Sequence, residues 1–308
     1  MFFNTKKYAE EAEKNNRHDL EQEPSMFNMI SLGLIATFAP TRIFLKLHKR
    51  HIENKAIIEK STEKQVPIIY FHGFRGGDYT TNVMIQHATS DKGNKKFLKG
   101  PVDLLGNFKL EGTWTGDKHP IVQVAFRQRI VGIYGIDYYL SFVLPFLSKR
   151  YGFKNYIAVA HSLACPCIIR TKMKHYLSKS FPHLTKCALI AGPFNGVTYL
   201  GDVPNVNLLN ENGRPNMMNP HYLYLLFNRR KFNPNISVLN IYGNVLDNTN
   251  TDKFISVVSA KSIRYIMAPK AHFYQEVEVR GKNDAEHSWM HDNPFVIDIV
   301  DKFLNLKK

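Results

Sequence analysis

From residue 65 onward, short apolar runs bounded by turn-forming residues alternate with longer stretches of helical spacing. Val66–Phe71, Ile121–Phe126, Tyr156–Ala160, Ala188–Ala191 and Val238–Tyr242 predict buried strands, with Ser262–Met267 and Phe273–Val279 as later ones. Between them, Asn82–Thr89, Ile136–Tyr151, Pro166–Leu177 and Pro220–Phe227 predict helices. Strand and helix alternating in this way imply a mostly parallel sheet covered on both faces, an α/β sandwich.

Residues 1–60 read differently and are expected to form an N-terminal helical extension to a main domain over 61–308. Its first 24 residues are charged, and an apolar stretch follows from Met26 to Ala39, closed by Pro40 and a basic amphipathic run. That stretch falls short of the roughly 20 residues that span a bilayer, and extending it to Leu47 admits Arg42 and Lys46. No secretory signal pattern is present, so a cytoplasmic protein is expected. Met26–Leu47 reads as a helical layer on the main domain, with peripheral membrane contact through these basic helices as the alternative.

Composition narrows the field. Hydrophobic residues make up 44% and charged residues 22%, as in a globular protein. Lys and Arg number 41 against 26 Asp and Glu, a net charge of +15. The cations are scattered and no nucleic-acid-binding motif accompanies them, so no nucleic-acid partner is expected. Cys165, Cys167 and Cys187 form no C-x-x-C pair and are expected to pack as small hydrophobes.

Four segments carry candidate chemistry. In the first, the strand Tyr156–Ala160 runs into Ala160-His161-Ser162-Leu163-Ala164 and then a helix, the form of a G-x-S-x-G nucleophile elbow with alanine at both glycine positions. Small residues are needed there because the serine sits on a tight strand-to-helix turn. In the second, about ninety residues earlier, Val66–Phe71 ends in His72-Gly73-Phe74-Arg75-Gly76-Gly77. A His-Gly turn after an early strand can set a backbone N–H beside the nucleophile, so the amides of Phe74 and Leu163 are the candidate oxyanion donors.

In the third, the strand Val238–Tyr242 is followed by two candidate acids, Asp247 and Asp252, for the residue that orients a histidine. The fourth, near the C-terminus, holds His287 and His291, and a histidine there can act as general base toward Ser162. The spacing of these two histidines also matches a helical metal pair, but no third ligand is evident, and no metal is assigned.

Taken in order, these segments resemble a family of bacterial α/β-hydrolases of poorly defined function known as cell-surface hydrolases. The resemblance runs from about Val66 to Leu304. It rests on His72-Gly73 with the Gly-rich turn and Thr pair, Gln123-Val124-x-Phe126, the serine elbow, Ala191-Gly-Pro-Phe-Asn-Gly196, Leu239-Asn-Ile-Tyr-Gly243, Asn250-Thr-Asp252 and His287-Ser-x-x-His291-x-Asn293. It implies an α/β-hydrolase fold, with Ser162 as nucleophile, His287 as base and Asp252, selected over Asp247, as acid. The chain departs from the family in having Ala-His-Ser-Leu-Ala for Gly-His-Ser-Met-Gly and Lys253 for the Gly after the acid.

The function expected on these grounds is hydrolysis of a small-molecule carboxylic ester through an acyl-enzyme, with no metal or organic cofactor. Thioesterase, amidase or acyltransferase chemistry is the alternative within the same triad. A non-catalytic, membrane-associated homologue is the alternative outside it. Residues 197–235, with Met217, Met218, Tyr222, Tyr224, Leu225, Leu226 and Phe227, are a candidate lid, or else a local helix packed on the domain.

Overall fold

The computed structural model describes residues 48–90, 96–127 and 132–306. In chain order its strands are β1 (Ile52–Asn54), β2 (Ile57–Ile58), β3 (Ile68–Phe71), β4 (Leu98–Val102), β5 (Phe108–Trp114), β6 (Ile121–Phe126), β7 (Asn155–His161), β8 (His183–Ile190), β9 (Val197–Thr198), β10 (Gly201–Asp202), β11 (Ser237–Asn244) and β12 (Phe273–Arg280). The helices are α1 (Tyr79–Ser90), α2 (Ile133–Tyr151), α3 (Ala164–Lys174), α4 (Pro220–Asn228), α5 (Val257–Lys261), α6 (Ile263–Met267) and α7 (Pro294–Leu304).

Ten strands form one sheet in the order β1-β5-β4-β6-β3-β7-β8-β11-β12, with β2 also pairing β5. Every pairing in it is parallel except β4 with β5. Side-chain alternation divides the apolar strands between two cores. In β3, Ile69 and Phe71 join the layer filled by α2, α3 and α4, whereas Ile68 and Tyr70 join the one filled by α1 and α7. In β7, Tyr156, Ala158 and Ala160 face the first layer, and Ile157 and Val159 the second. A sheet buried on both faces is what the near-continuous apolar strands require.

Ser262–Met267, expected as a strand, is instead mostly the helix α6. Its buried positions, Ile263, Ile266 and Met267, repeat at three and four residues, which a helix places on one face and a strand does not. The sheet also reaches below residue 61, because β1 and β2 extend its edge through β5. The Met26–Leu47 stretch lies outside the described residues. Among those described, no helix is long and apolar enough to cross a membrane. All three cysteines are free and buried, and burial pushes their thiols up.

The candidate lid segment divides. Tyr222, Leu225 and Leu226 of α4 join the core beside α3, and the Tyr222 hydroxyl donates to the Ser262 carbonyl at 3.2 Å. Phe227 stays exposed on the other side of the helix.

Burial of two histidines sets an acid limit on stability. Desolvation, helped by Arg170, lowers His221 to about 4, and burial, helped by His291 and His287, lowers His161 well below the usual imidazole range. Between about pH 6.5 and 4 the unfolded chain therefore binds protons that the folded chain does not, and stability falls as pH falls. For His221 alone the loss by pH 4 is about 3 kcal/mol at most. Urea unfolding at pH 7.5 and 4.5 should show a lower midpoint at acid pH, with His221→Phe removing part of the difference. Equal midpoints would contradict the assignment.

Candidate active site

In a parallel sheet of this kind, ligands meet the carboxyl ends of the strands where the strand order reverses. Here the reversal falls between β3 and β7, and the candidate residues gather at that end.

The elbow follows from the end of β7. Ser162 lies in the left-handed region, φ 56°, its amide donates to Ile190 O at 2.8 Å, and its carbonyl accepts from Cys165 N at 3.0 Å as α3 begins. The positive φ falls on the serine itself. Ala160 and Ala164 flank it, fully buried, so alanine needs no unusual backbone there. The turn after β3 packs directly on this elbow. A Cβ on Gly73 would lie 2.7 Å from Leu163 N, 2.8 Å from Ser162 Cβ and 2.9 Å from His161 O, so only glycine permits the approach.

His72 holds that turn in place. Its Nε2 accepts from Phe126 N at 2.8 Å, which puts the proton on Nδ1, positioned to donate to Gly73 O at 3.0 Å. The strand neighbour β6 thereby fixes the segment that carries the Phe74 amide.

The two candidate acids fare differently. Asp252 is buried, its Oδ1 accepts from Phe254 N at 2.9 Å and Ile255 N at 2.7 Å, and its Oδ2 lies 2.8 Å from His287 Nδ1. Its carbonyl also accepts from His287 N at 2.9 Å, so backbone and side chain both bind the histidine segment. Asp247 is exposed and accepts from the amide and hydroxyl of Thr249, hydrogen bonds that lower its carboxyl pKa and close a local turn. Lys253, where the family resemblance expects Gly, stands at φ 82°, in the left-handed region that favours glycine.

His287 completes the geometry, with Nε2 2.9 Å from Ser162 Oγ. With a carboxylate at Nδ1, that nitrogen carries the proton and Nε2 is free to accept from the serine hydroxyl. The structure thus brings Ser162, His287 and Asp252 into one hydrogen-bonded line and leaves Asp247 out of it. Gly243, at the end of β11, lets the acid and base segments meet: a Cβ there would lie 2.2 Å from Ala285 O and 2.9 Å from Asp252 Cβ.

Two participants escape the sequence reading. His161 Nε2 donates to His287 O at 3.1 Å, and its ring centroid lies 5.0 Å from those of both His287 and His291. The signal was its place in the elbow, which sequence treats as a free position. The second is a polar network behind the acid loop: Ser259 Oγ accepts from Asn195 N at 3.0 Å and donates to Gly196 O at 2.7 Å, joining the Ala191–Gly196 motif to α5.

His291 pairs through Nδ1 with Asp292 at 2.8 Å, and neither His287 nor His291 lies in a helix, so the helical metal-pair geometry is not realised. Among the described residues, no group of three or more His, Cys, Asp or Glu side chains is placed to hold a metal ion.

Residues 55–307 match the family described as alpha/beta hydrolase of unknown function, DUF915. Among solved structures, the chain is similar to the lin2722 gene product of Listeria innocua, with 26% identity and a TM-score of 0.69 over 79% of this chain and 95% of that one. It is also similar to a Lactobacillus plantarum WCFS1 protein provisionally designated a cell surface hydrolase. There the identity is 18% and the TM-score 0.65, over 80% of this chain and 94% of that one. No curated protein matches the chain.

Proposed function

Because the chain belongs to the DUF915 family of alpha/beta hydrolases, we propose that it is a serine hydrolase that cleaves carboxylic esters through an acyl-enzyme. The observation that carries this reading is the continuous Asp252–His287–Ser162 line, with links of 2.8 and 2.9 Å on an elbow serine.

In this scheme Ser162 Oγ attacks the ester carbonyl while His287 Nε2 takes its proton. Asp252 fixes the imidazole tautomer and offsets the charge it gains. The oxyanion receives the amides of Phe74 and Leu163, neither of which has a hydrogen-bond acceptor among the described residues. His287 returns the proton to the departing alcohol. A water molecule then attacks the acyl group, again giving its proton to His287, and the acid leaves as Ser162 is reprotonated. The triad carries every proton, so the scheme calls on no metal or organic cofactor.

The acyl site on this reading is open and apolar. Phe74 is exposed beside the elbow, and the exposed Phe254 ring lies 5.4 Å from the His287 ring. The test of substrate class is kcat/KM for a matched ester, thioester and anilide with the same short acyl group. The ester should rank first, and a higher value for the thioester or the anilide would move the assignment to that class.

A further inference from the structure

The mouth of the triad displays apolar side chains that the fold does not bury. Phe74 follows the Gly73 turn, and Phe254 follows the acid by two residues. The Phe254 carbonyl accepts from Thr198 N at 2.9 Å, which sets the turn carrying Tyr199 and Leu200 beside it. Leu246 belongs to the same acid loop, whose Val245 amide donates to Thr251 O at 2.9 Å. Tyr199 is 84% exposed and Leu200 76%.

This display runs against local preference. Tyr199 and Leu246 lie in the left-handed region, at φ 60° and 59°, which bulky residues rarely adopt. Such strain costs stability, and an exposed side chain recovers none of it through burial in the folded chain. Two cations with the same backbone habit alternate with the apolar groups: Arg75, at φ 56°, follows Phe74, and Lys253, at φ 82°, precedes Phe254. Neither has a carboxylate within ion-pair distance among the described residues. Asp78, an acid close to Arg75 in sequence, is held by Lys99, and Asp247 hydrogen-bonds Thr249 while Lys253 acts on it only from beyond ion-pair distance.

An apolar surface carrying two cations outside any close ion pair, with the Arg75 guanidinium 5.9 Å from the Phe74 ring centre, on a chain of net charge +15, is complementary to an anionic lipid surface: apolar groups enter the acyl boundary and cations meet the headgroups. We propose that this rim is a lipid-docking face, which seats the chain on an anionic bilayer with the triad turned toward ester bonds held in it. The delivery of substrate rests on the hydrolase reading above. The docking itself does not.

The test is co-sedimentation of the full-length Ser162→Ala protein with vesicles of phosphatidylcholine alone or mixed with phosphatidylglycerol. The comparisons are Tyr199→Ser/Leu200→Ser and Arg75→Gln/Lys253→Gln made in that background, with thermal unfolding as the check on folding. Binding should require the anionic lipid, and each double substitution should weaken it by roughly tenfold or more, with the unfolding temperature little changed. Three results would each overturn the proposal: no binding by the parent, equal binding to both vesicles, or unchanged binding by folded rim variants. A rim substitution that splits a dimer without altering vesicle binding would make the rim a self-contact and overturn it as well. Reaction of the wild-type serine with a soluble fluorophosphonate, read separately, reports on the hydrolase reading. If that fails while vesicle binding behaves as described, docking stands and esterolysis falls.

Discussion

Asp252→Asn is expected to lower kcat on a soluble ester by about 10⁴-fold, the effect of removing the carboxylate that sets the histidine tautomer in such triads. The reason lies in the directions of the hydrogen bonds. Asp252 Oδ2 can only accept from His287 Nδ1, which leaves Nε2 open toward Ser162. An asparagine can present an N–H to Nδ1 in place of the carboxylate, which moves the imidazole proton to Nε2, where it blocks transfer from the serine. Asp247→Asn should leave turnover unchanged, because that side chain is exposed, accepts from Thr249 and stands outside the Asp252–His287–Ser162 line. The two single variants, compared on one ester with folding verified by circular dichroism, decide the question. A large loss in Asp247→Asn with little in Asp252→Asn would reverse the assignment.

Gly73→Ala should cost about 10²–10³-fold in kcat, the scale of losing one oxyanion donor. The added methyl would lie under 3 Å from three atoms of the elbow, including the Leu163 amide nitrogen and the Ser162 Cβ. Two of the three are backbone atoms, so no flexible side chain can yield and the turn must retreat from the serine. The Phe74 amide would retreat with it. Asp252 and His287 lie on other loops and keep their contacts, so the fall should appear mainly in kcat and in the rate of serine labelling. Wild-type kcat in a folded Gly73→Ala protein would remove the Gly73–Phe74 turn from the proposed oxyanion site.

Much of this was legible in the sequence because the chemistry imposes local rules. A small-His-Ser-Leu-small string alone occurs often by chance, but the His-Gly turn before it and the late acid and last histidines after it fall in the chain order that a nucleophile elbow expects, and the combination is specific. The choice of Asp252 over Asp247 came from family resemblance and not from local pattern. Both are acids in a turn-rich loop, and only the tertiary contact with His287 separates them.

What escaped was the structure that depends on partners distant in sequence. β4 contains Gly100 and Pro101, which argue against a central strand, yet it lies between β5 and β6. Ser262–Met267 is too short for its period to be read with assurance, and tertiary packing made most of it a helix. The roles of His72 and His161 are carried by hydrogen bonds to Phe126 and His287, residues 54 and 126 positions away, which no local pattern encodes.

The central claim is that Ser162 is an activated nucleophile, and mass spectrometry of the protein treated with a fluorophosphonate tests it most directly. One adduct is expected, located on the peptide containing Ser162, absent from Ser162→Ala and formed far more slowly in His287→Ala. A folded wild-type protein that stays unmodified, or an adduct that persists in Ser162→Ala, would contradict it.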